Sequence, residues 1–168
     1  QLGTINKTRK VPSIEKIKNG NDITIISSSV MTKEALEIFN ILKKNKISAD
    51  LLNINIIKPL EEKKILNSVN KTGRVLVLDF GPSFLSVASE IIAIITNKSF
   101  KYLKYPPKKI ALPNFPVPTS YGMTKKFYPG IHQILKECEK IMNKKIKFEK
   151  KINQIKHDVP DEKFRGPF

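Results

Sequence analysis

The length, composition and charge of the chain limit what kind of protein it can be. Its 168 residues suit one domain with a single hydrophobic core, and its one cysteine, Cys138, excludes an intramolecular disulfide and a cysteine-rich zinc site. The 31 lysine and arginine residues outnumber 15 aspartate and glutamate residues, and the resulting net charge of +16 raises the question of a nucleic acid or membrane partner. Only Arg9, Arg74 and Arg165 are arginines, and no aromatic-rich recognition motif accompanies the lysines, so a nucleic acid partner is not favoured.

The ends and the longest apolar runs of the chain bear on where it resides. No run approaches the roughly 18 apolar residues of a membrane span, and residues 1–10 lack the apolar core of a secretory signal. We therefore expect a soluble domain without a membrane partner, in a reducing, cytoplasmic compartment. Because the first residue is Gln1 rather than methionine, we expect the chain to be a piece of a longer protein.

Composition divides the chain into three regions. Residues 1–20 show little apolar periodicity and lead into the turn-forming run KNGN, which predicts an N-terminal linker. Residues 21–142 contain the periodic segments and form the predicted α/β domain. Residues 143–168 are basic with few apolar side chains, which predicts an extended C-terminal tail.

Within the predicted domain, short β-branched runs alternate with segments of helical periodicity. The runs predicted to be strands are residues 22–28, 47–57, 74–79 and 108–112. The segments predicted to be helices begin near Thr32, Pro59, Ser83 and Pro129. Thr32 is the predicted N-cap of the first helix, and Gly73 is predicted to end the second helix in a left-handed conformation.

The alternation of strands and helices predicts the fold class. Strands joined through helices form βαβ units, whose right-handed crossovers produce a mainly parallel sheet covered on both faces. The proline-rich segment 113–118 cannot supply ladder donors and is predicted to be a surface loop. The predicted fold is therefore α/β, a three-layer sandwich with a mainly parallel sheet.

Three consecutive serines form the candidate binding site. Ligands of open α/β sheets sit beyond the carboxyl ends of the strands, where Ser27, Ser28 and Ser29 precede the first helix. Helix N-terminal amides and serine hydroxyls could together bind a phosphate or carboxylate. The alternative is that the serines only satisfy the unpaired amides of that helix.

The chain contains few other candidates for chemistry. It has neither a G-x-G-x-x-G fingerprint nor a G-K-[ST] phosphate loop, and His132 and His157 are its only histidines. His132 lies off the apolar stripe of the last helix and is predicted to be solvent-exposed, whereas Cys138 lies on the stripe and is predicted to be a core thiol. Asp79 and Glu90 are carboxylates in apolar surroundings, and both are interpreted as structural. We therefore assign no catalytic residue and no metal ligand.

Three blocks of sequence resemble the C-terminal domain of transketolase-like enzymes. They are NGNDITIISSSVMTKEALEIFNIL, ISADLLNINIIKPLEEKKILNSVNKTGRVLVLDF and PNFPVPTSYGMTKKFYPG. The resemblance extends over residues 15–142 and is greatest to the β subunit of 2-oxo acid dehydrogenases such as pyruvate dehydrogenase. Ser29 stands where the family commonly has a glycine.

The resemblance implies a non-catalytic role in assembly or regulation. In this family, thiamine diphosphate and Mg²⁺ are held between a pyrimidine domain and a pyrophosphate domain, and the C-terminal domain packs alongside and helps hold subunits together. This chain contains neither cofactor domain, so the resemblance implies no cofactor in this fragment, thiamine diphosphate and Mg²⁺ in the full-length enzyme, and a homodimer. Two other hypotheses remain: a module that binds small anionic ligands at Ser27–Ser29, and a polyanion-binding protein that uses the lysines of residues 144–151.

Overall fold

A five-stranded sheet forms the centre of the molecule. The computed structural model describes residues 11–120, 123–124 and 127–148. The strands are β1 (Ile14–Lys18), β2 (Ile23–Ser28), β3 (Ala49–Ile54), β4 (Val75–Pro82) and β5 (Lys108–Leu112). The helices are α1 (Met31–Lys44), α2 (Glu62–Thr72), α3 (Val87–Ser99) and α4 (Ile131–Met142), and a 3₁₀ turn at Phe100–Tyr102 follows α3.

The sheet is parallel except at one edge. Its strand order is β1-β3-β2-β4-β5, and β2 to β5 run in the same direction. Their carboxyl ends therefore lie at one edge of the sheet, called the carboxyl edge below, and their amino ends lie at the opposite edge. β1 pairs antiparallel with β3.

Two hydrophobic clusters pack on the two faces of the sheet, which confirms the three-layer α/β prediction. α1 and α4 cover one face, where Ile38, Leu42 and Ile134 pack against strand residues such as Ile25. α2 and α3 cover the other face, where Ile65 and Ile91 belong to the second cluster. Among the described residues, no helix is both long and apolar enough to cross a membrane.

Strand β1 lies inside the region predicted to be a linker, so that prediction was wrong for Ile14–Lys18. The strand provides only one apolar side chain to each face of the sheet. Ile14 is buried in the α2/α3 cluster, whereas Ile17 is half-buried against the α1/α4 cluster. An edge strand with a single anchor on each face has no apolar alternation, so its sequence does not differ from that of a polar linker.

The predicted boundary between domain and tail at residue 142 was also wrong. Residues 143–148 fold back onto the domain, where Ile146 is buried and the backbone of Lys147 exchanges two hydrogen bonds with the side chain of Asn45, both 2.8 Å long. The remainder of the predicted tail, 149–168, lies outside the described residues, as do residues 1–10 of the predicted linker.

Of the two predicted helix ends, the one at Gly73 was correct and the one at Thr32 was wrong. Gly73 ends α2 with a φ of 70°, the left-handed conformation predicted for it. Thr32 is not the N-cap of α1, because the helix begins at Met31 and Val30 precedes it without a side-chain cap. The Thr32 hydroxyl instead donates a hydrogen bond to Asn53 Oδ1 at 2.7 Å.

A buried carboxylate on β3 joins three parts of the fold: strand β1, the loop between β1 and β2, and helix α2. Asp50 is fully buried and accepts hydrogen bonds from the amide of Gly20 at 3.1 Å and from the hydroxyl of Ser68 on α2. The ammonium groups of Lys16 and Lys71 lie 3.3 and 3.2 Å from its two oxygens. Burial by itself would raise the pKa of Asp50, but the hydrogen bonds and the two lysines together hold the pKa below its ordinary value of 3.8.

A second buried carboxyl group makes the stability of the domain pH-dependent. Burial in α1, with a smaller contribution from the charge of Glu37, raises the pKa of Glu34 from 4.5 to about 7. The folded state therefore holds this proton more tightly than the unfolded state, so stability falls as pH rises from 4.5 to about 7. We expect Glu34→Gln to stabilise the domain by about 2 kcal/mol above pH 7.

Urea unfolding at several pH values tests this prediction. The gain from Glu34→Gln is expected to vanish below pH 4.5, where the unfolded Glu34 is also protonated. Glu90→Gln is the control, because Glu90 is exposed and its substitution is expected to change stability little at any pH. A Glu34→Gln variant that is no more stable than wild type at pH 8 would contradict the raised pKa.

Candidate functional site

A cleft of about 420 Å³ opens at the carboxyl edge, between the ends of β2 and β3. Its lining residues are Ser28, Ser29, Thr32, Asn53, Ile54, Asn55 and Ile57. The cleft is therefore neutral, and its wall contains hydroxyl and amide groups as well as isoleucine side chains. Such a surface can donate hydrogen bonds to a small polar ligand without repelling an anion.

A chain of hydrogen bonds fixes the polar wall of the cleft. The Thr32 hydroxyl donates to Asn53 Oδ1, and Ser27 Oγ lies 3.1 Å from the Thr32 oxygen. The Asn53 amide in turn donates to Asn55 Oδ1 at 2.7 Å. Because these groups largely satisfy one another, Ser28 and Ser29 are the hydroxyls best placed to meet a ligand.

The structure separates the three predicted site serines. Ser27 is fully buried and does not line the cleft, whereas Ser28 and Ser29 both do. No side-chain hydrogen bond caps α1, so the serine side chains do not satisfy its first amides in the way that the structural alternative supposed. The amide of Thr32 instead donates to the carbonyl of Ser29 at 3.1 Å.

Ser29 adopts a backbone conformation that favours glycine. Its φ of 52° lies in the left-handed region, where a Cβ atom meets steric resistance. Glycine would adopt this conformation without strain, whereas the serine places a hydroxyl at the cleft.

Large apolar side chains are exposed along the same edge of the sheet. They lie in the loops that follow β3, β4 and β5, and they are called the apolar edge below: Ile56, Ile57, Phe84, Leu85, Phe115 and Val117. Phe84 is 68% exposed and Leu85 is 85% exposed. The loops after β4 and β5 contact each other, since the amide of Phe84 donates to Asn114 Oδ1 at 2.7 Å.

Leu85 combines exposure with an unfavourable backbone conformation. Its φ is 52°, which is rare for a residue as bulky as leucine. A position that is both solvent-exposed and left-handed would be served better by glycine or asparagine if only the stability of this domain mattered. The stability of this domain alone therefore does not account for the apolar side chain at this position. Sequence patterns did not identify the apolar edge, because its members come from three separate loops.

The other candidate residues have structural surroundings. Asp79 Oδ1 accepts a hydrogen bond from the Gly81 amide at 3.0 Å, and Asp79 Oδ2 accepts one from the Ala88 amide at 2.9 Å. The carboxylate thus holds the loop between β4 and α3, as the structural interpretation predicted. Glu90 is exposed on α3.

The thiol and the histidines do not form a site in the described part of the chain. Cys138 is fully buried, as predicted, and burial, with smaller contributions from Glu137 and Glu139, raises its pKa to about 12, so it stays a neutral thiol. His132 is half-buried rather than exposed, because its ring packs at 5.2 Å from the ring of Phe148. His157 lies outside the described residues, and no group of three His, Cys, Asp or Glu among the described residues is placed to hold a metal ion.

Comparisons with known proteins identify relatives of this fold and sequence. Residues 13–134 match the family model of the transketolase C-terminal domain. The pyruvate dehydrogenase E1 component subunit beta of Rickettsia bellii is 30% identical over 125 residues, which cover 74% of this chain and 38% of that protein. The acetoin:2,6-dichlorophenolindophenol oxidoreductase subunit beta of Bacillus subtilis is 32% identical over 118 residues, which cover 70% of this chain and 34% of that protein.

A solved structure supports the same architecture. A split-gene transketolase, described as an inactive beta4 tetramer, superposes with a TM-score of 0.68 at 20% identity, covering 81% of this chain and 44% of that one. At that identity the likeness concerns the fold alone. The chain spans 38% or less of the length of the two curated relatives described above.

Proposed function

Because this chain belongs to the transketolase C-terminal domain family, we propose that it is a non-catalytic assembly domain of a thiamine diphosphate-dependent enzyme. The full-length enzyme would act on a 2-oxo acid or ketose in the cytoplasm. Thiamine diphosphate and Mg²⁺ would be held by pyrimidine and pyrophosphate domains or subunits, which are the partners proposed for this chain. A homodimer would complete the assembly.

The apolar edge is the observation that carries this proposal. Burying a large apolar side chain contributes about 1.5–3 kcal/mol, and monomeric proteins rarely leave such side chains clustered at a surface. Phe84 and Leu85 are the most exposed members of a group that follows three parallel strands. The matched segment is also a minor part of the curated relatives, so a larger remainder is available to cover the edge. An assembly contact accounts both for the exposed apolar edge and for the small share of the relatives' length that this chain spans.

Calorimetric titration with thiamine diphosphate and Mg²⁺ tests the non-catalytic part of the proposal. We expect the purified chain to give no binding heat, since the cofactor would be held by the partner domains. Saturable binding with a dissociation constant of about 1 μM, which corresponds to roughly −8 kcal/mol, would contradict it.

Leu85→Gly tests whether the apolar edge is an assembly contact. Glycine relieves the left-handed strain of Leu85, so we expect the isolated chain to become more stable by about 1 kcal/mol in urea unfolding. The same substitution is expected to weaken the association of the chain with its native partners, as measured by co-purification from source cells. Tyr102→Gly is the control for lost exposed apolar area, because Tyr102 is also exposed but follows α3 at the other edge. Unchanged association in Leu85→Gly would contradict an assembly role for the edge.

The cleft supports a second candidate function, the binding of a small anionic ligand. Ser28 and Ser29 line the cleft, and none of its lining residues is acidic. Titration with inorganic pyrophosphate tests this function, with Ser28→Ala expected to weaken binding and Ser89→Ala, on α3, expected to leave it unchanged. Absence of pyrophosphate binding by the wild-type chain would remove this candidate and leave the assembly proposal standing.

A further inference from the structure

Two clusters of lysines from distant parts of the sequence meet at the amino edge of the sheet. Lys43, Lys44 and Lys46 lie at the end of α1, and Lys144, Lys145 and Lys147 follow α4. These six residues are called the lysine corner. Asn45 joins the clusters, because its side chain exchanges two hydrogen bonds with the backbone of Lys147, and its carbonyl accepts one from Lys144 Nζ at 3.2 Å.

The charges of the lysine corner are not neutralised by the described part of the domain. All six lysines are exposed, and none of them forms an ion pair with a described carboxylate. Glu139 accepts a hydrogen bond from the amide of Ile146 at 2.7 Å and forms no ion pair with a lysine of the corner, and Glu137 pairs with Lys140. The corner therefore carries a concentrated positive charge.

Helix termini explain only part of this charge. A cation near the C-terminus of a helix contributes about 0.3–1 kcal/mol, and the effect is confined to the last turn. Lys43 and Lys44 lie in the last turn of α1, but Lys46, Lys145 and Lys147 lie beyond the helices. Neighbouring like charges destabilise one another, so local stability does not account for six of them.

The surroundings of the lysine corner indicate the chemistry of its partner. None of the exposed large apolar side chains of the described chain belongs to the corner, so it offers no wedge for a lipid surface. The adjacent ring of Phe148 is half-buried against His132 rather than free to stack on a base. Lysine ammonium groups are flexible point charges, so they can attract the carboxylates of an acidic polypeptide through charge complementarity without a fixed pairing geometry.

We propose that the lysine corner binds an acidic polypeptide segment of a partner protein. The corner lies at the amino edge, where α1 and α4 end, and the apolar edge lies at the opposite end of the sheet. The domain can therefore bind an acidic partner while its apolar edge is covered. This inference does not depend on the identity of the enzyme to which the domain belongs.

Fluorescence anisotropy with labelled poly-L-glutamate as the probe tests the proposal on the full chain at physiological salt. The corner variant Lys43→Glu/Lys44→Glu/Lys145→Glu is compared with the control Lys33→Glu/Lys63→Glu/Lys101→Glu, which replaces exposed lysines elsewhere and changes the net charge equally. We expect the corner variant to weaken binding about tenfold or more and the control about threefold or less. A neutral variant, Lys43→Gln/Lys44→Gln/Lys145→Gln, is expected to fall between wild type and the corner variant, and it replaces the corner variant if thermal melting shows that the latter is unfolded.

Three outcomes would overturn the proposal. Equal weakening by the corner and control variants would show that only the diffuse charge of the chain attracts the probe. If the chain binds a single-stranded RNA of the same charge more tightly than poly-L-glutamate, the corner is assigned to nucleic acid. If it binds anionic lipid vesicles more tightly than poly-L-glutamate, the corner is assigned to a membrane surface.

Discussion

Gly20→Ala is expected to destabilise the domain by about 4 kcal/mol or more, enough to unfold much of the population of a marginally stable domain. A Cβ atom at this position would lie 2.3 Å from the carbonyl carbon of Ala49 and 2.4 Å from its oxygen. These are backbone atoms at the start of β3, so the clash cannot be relieved by rotating a side chain. The urea midpoint of the purified variant measures the effect.

Gly81→Ala provides the matched control for this prediction. The nearest atom to a Cβ at Gly81 is Asp79 Oδ1 at 3.5 Å, an ordinary van der Waals contact. We expect the control to shift stability by less than about 1 kcal/mol. If Gly20→Ala and Gly81→Ala unfold at the same urea concentration, the loop before β2 does not approach the backbone of β3 as closely as these distances indicate.

Asp50→Asn is expected to destabilise the domain by about 3 kcal/mol at pH 7. The substitution keeps the shape of the side chain but removes the charge that faces Lys16 and Lys71. If the amide oxygen keeps the hydrogen bond from Gly20, an NH2 group replaces the oxygen that accepts from Ser68, so the Ser68 hydroxyl must accept instead of donating. Asp79→Asn is a useful comparison, because Asp79 accepts two backbone hydrogen bonds and has no lysine in ion-pair contact in the described chain.

The pH dependence distinguishes the charge of Asp50 from its shape. Because the folded pKa is lowered, the stabilisation by the carboxylate is present above the unfolded pKa near 3.8 and is lost as pH falls through the folded pKa. The gap between wild type and Asp50→Asn should therefore narrow below about pH 4. A gap that stays constant from pH 7 to pH 3 would indicate a packing defect instead.

The sequence predicted the regular parts of the fold well because their periodicity is strong. The predicted strand 108–112 coincides with β5, and the apolar stripe of α4 is buried at Ile134, Leu135 and Cys138 as predicted. The prediction failed where structure depends on contacts between distant segments. β1 has one anchor on each sheet face, and the chain after α4 is held by Asn45, so neither leaves a periodic pattern.

The candidate surfaces were harder to predict than the fold. Strand order and helix position were sufficient to place Ser28 and Ser29 near a cleft, but their role in binding stays a prediction. The apolar edge is assembled from three loops, so it emerges only when the parallel strands are aligned. The lysine corner likewise joins segments that are far apart in the sequence, since Asn45 and Lys147 are separated by 102 positions, although residues 144–151 already suggested a basic surface.

The proposed assembly role places the cofactor in other domains or subunits of the enzyme. Native mass spectrometry of the complex purified from source cells, through an affinity tag on this chain, is the sharpest test of that role. We expect a complex that contains catalytic thiamine diphosphate-binding domains, releases the cofactor on denaturation and dissociates more readily when Leu85 is replaced by glycine. A chain that is recovered without such domains and without thiamine diphosphate would contradict it.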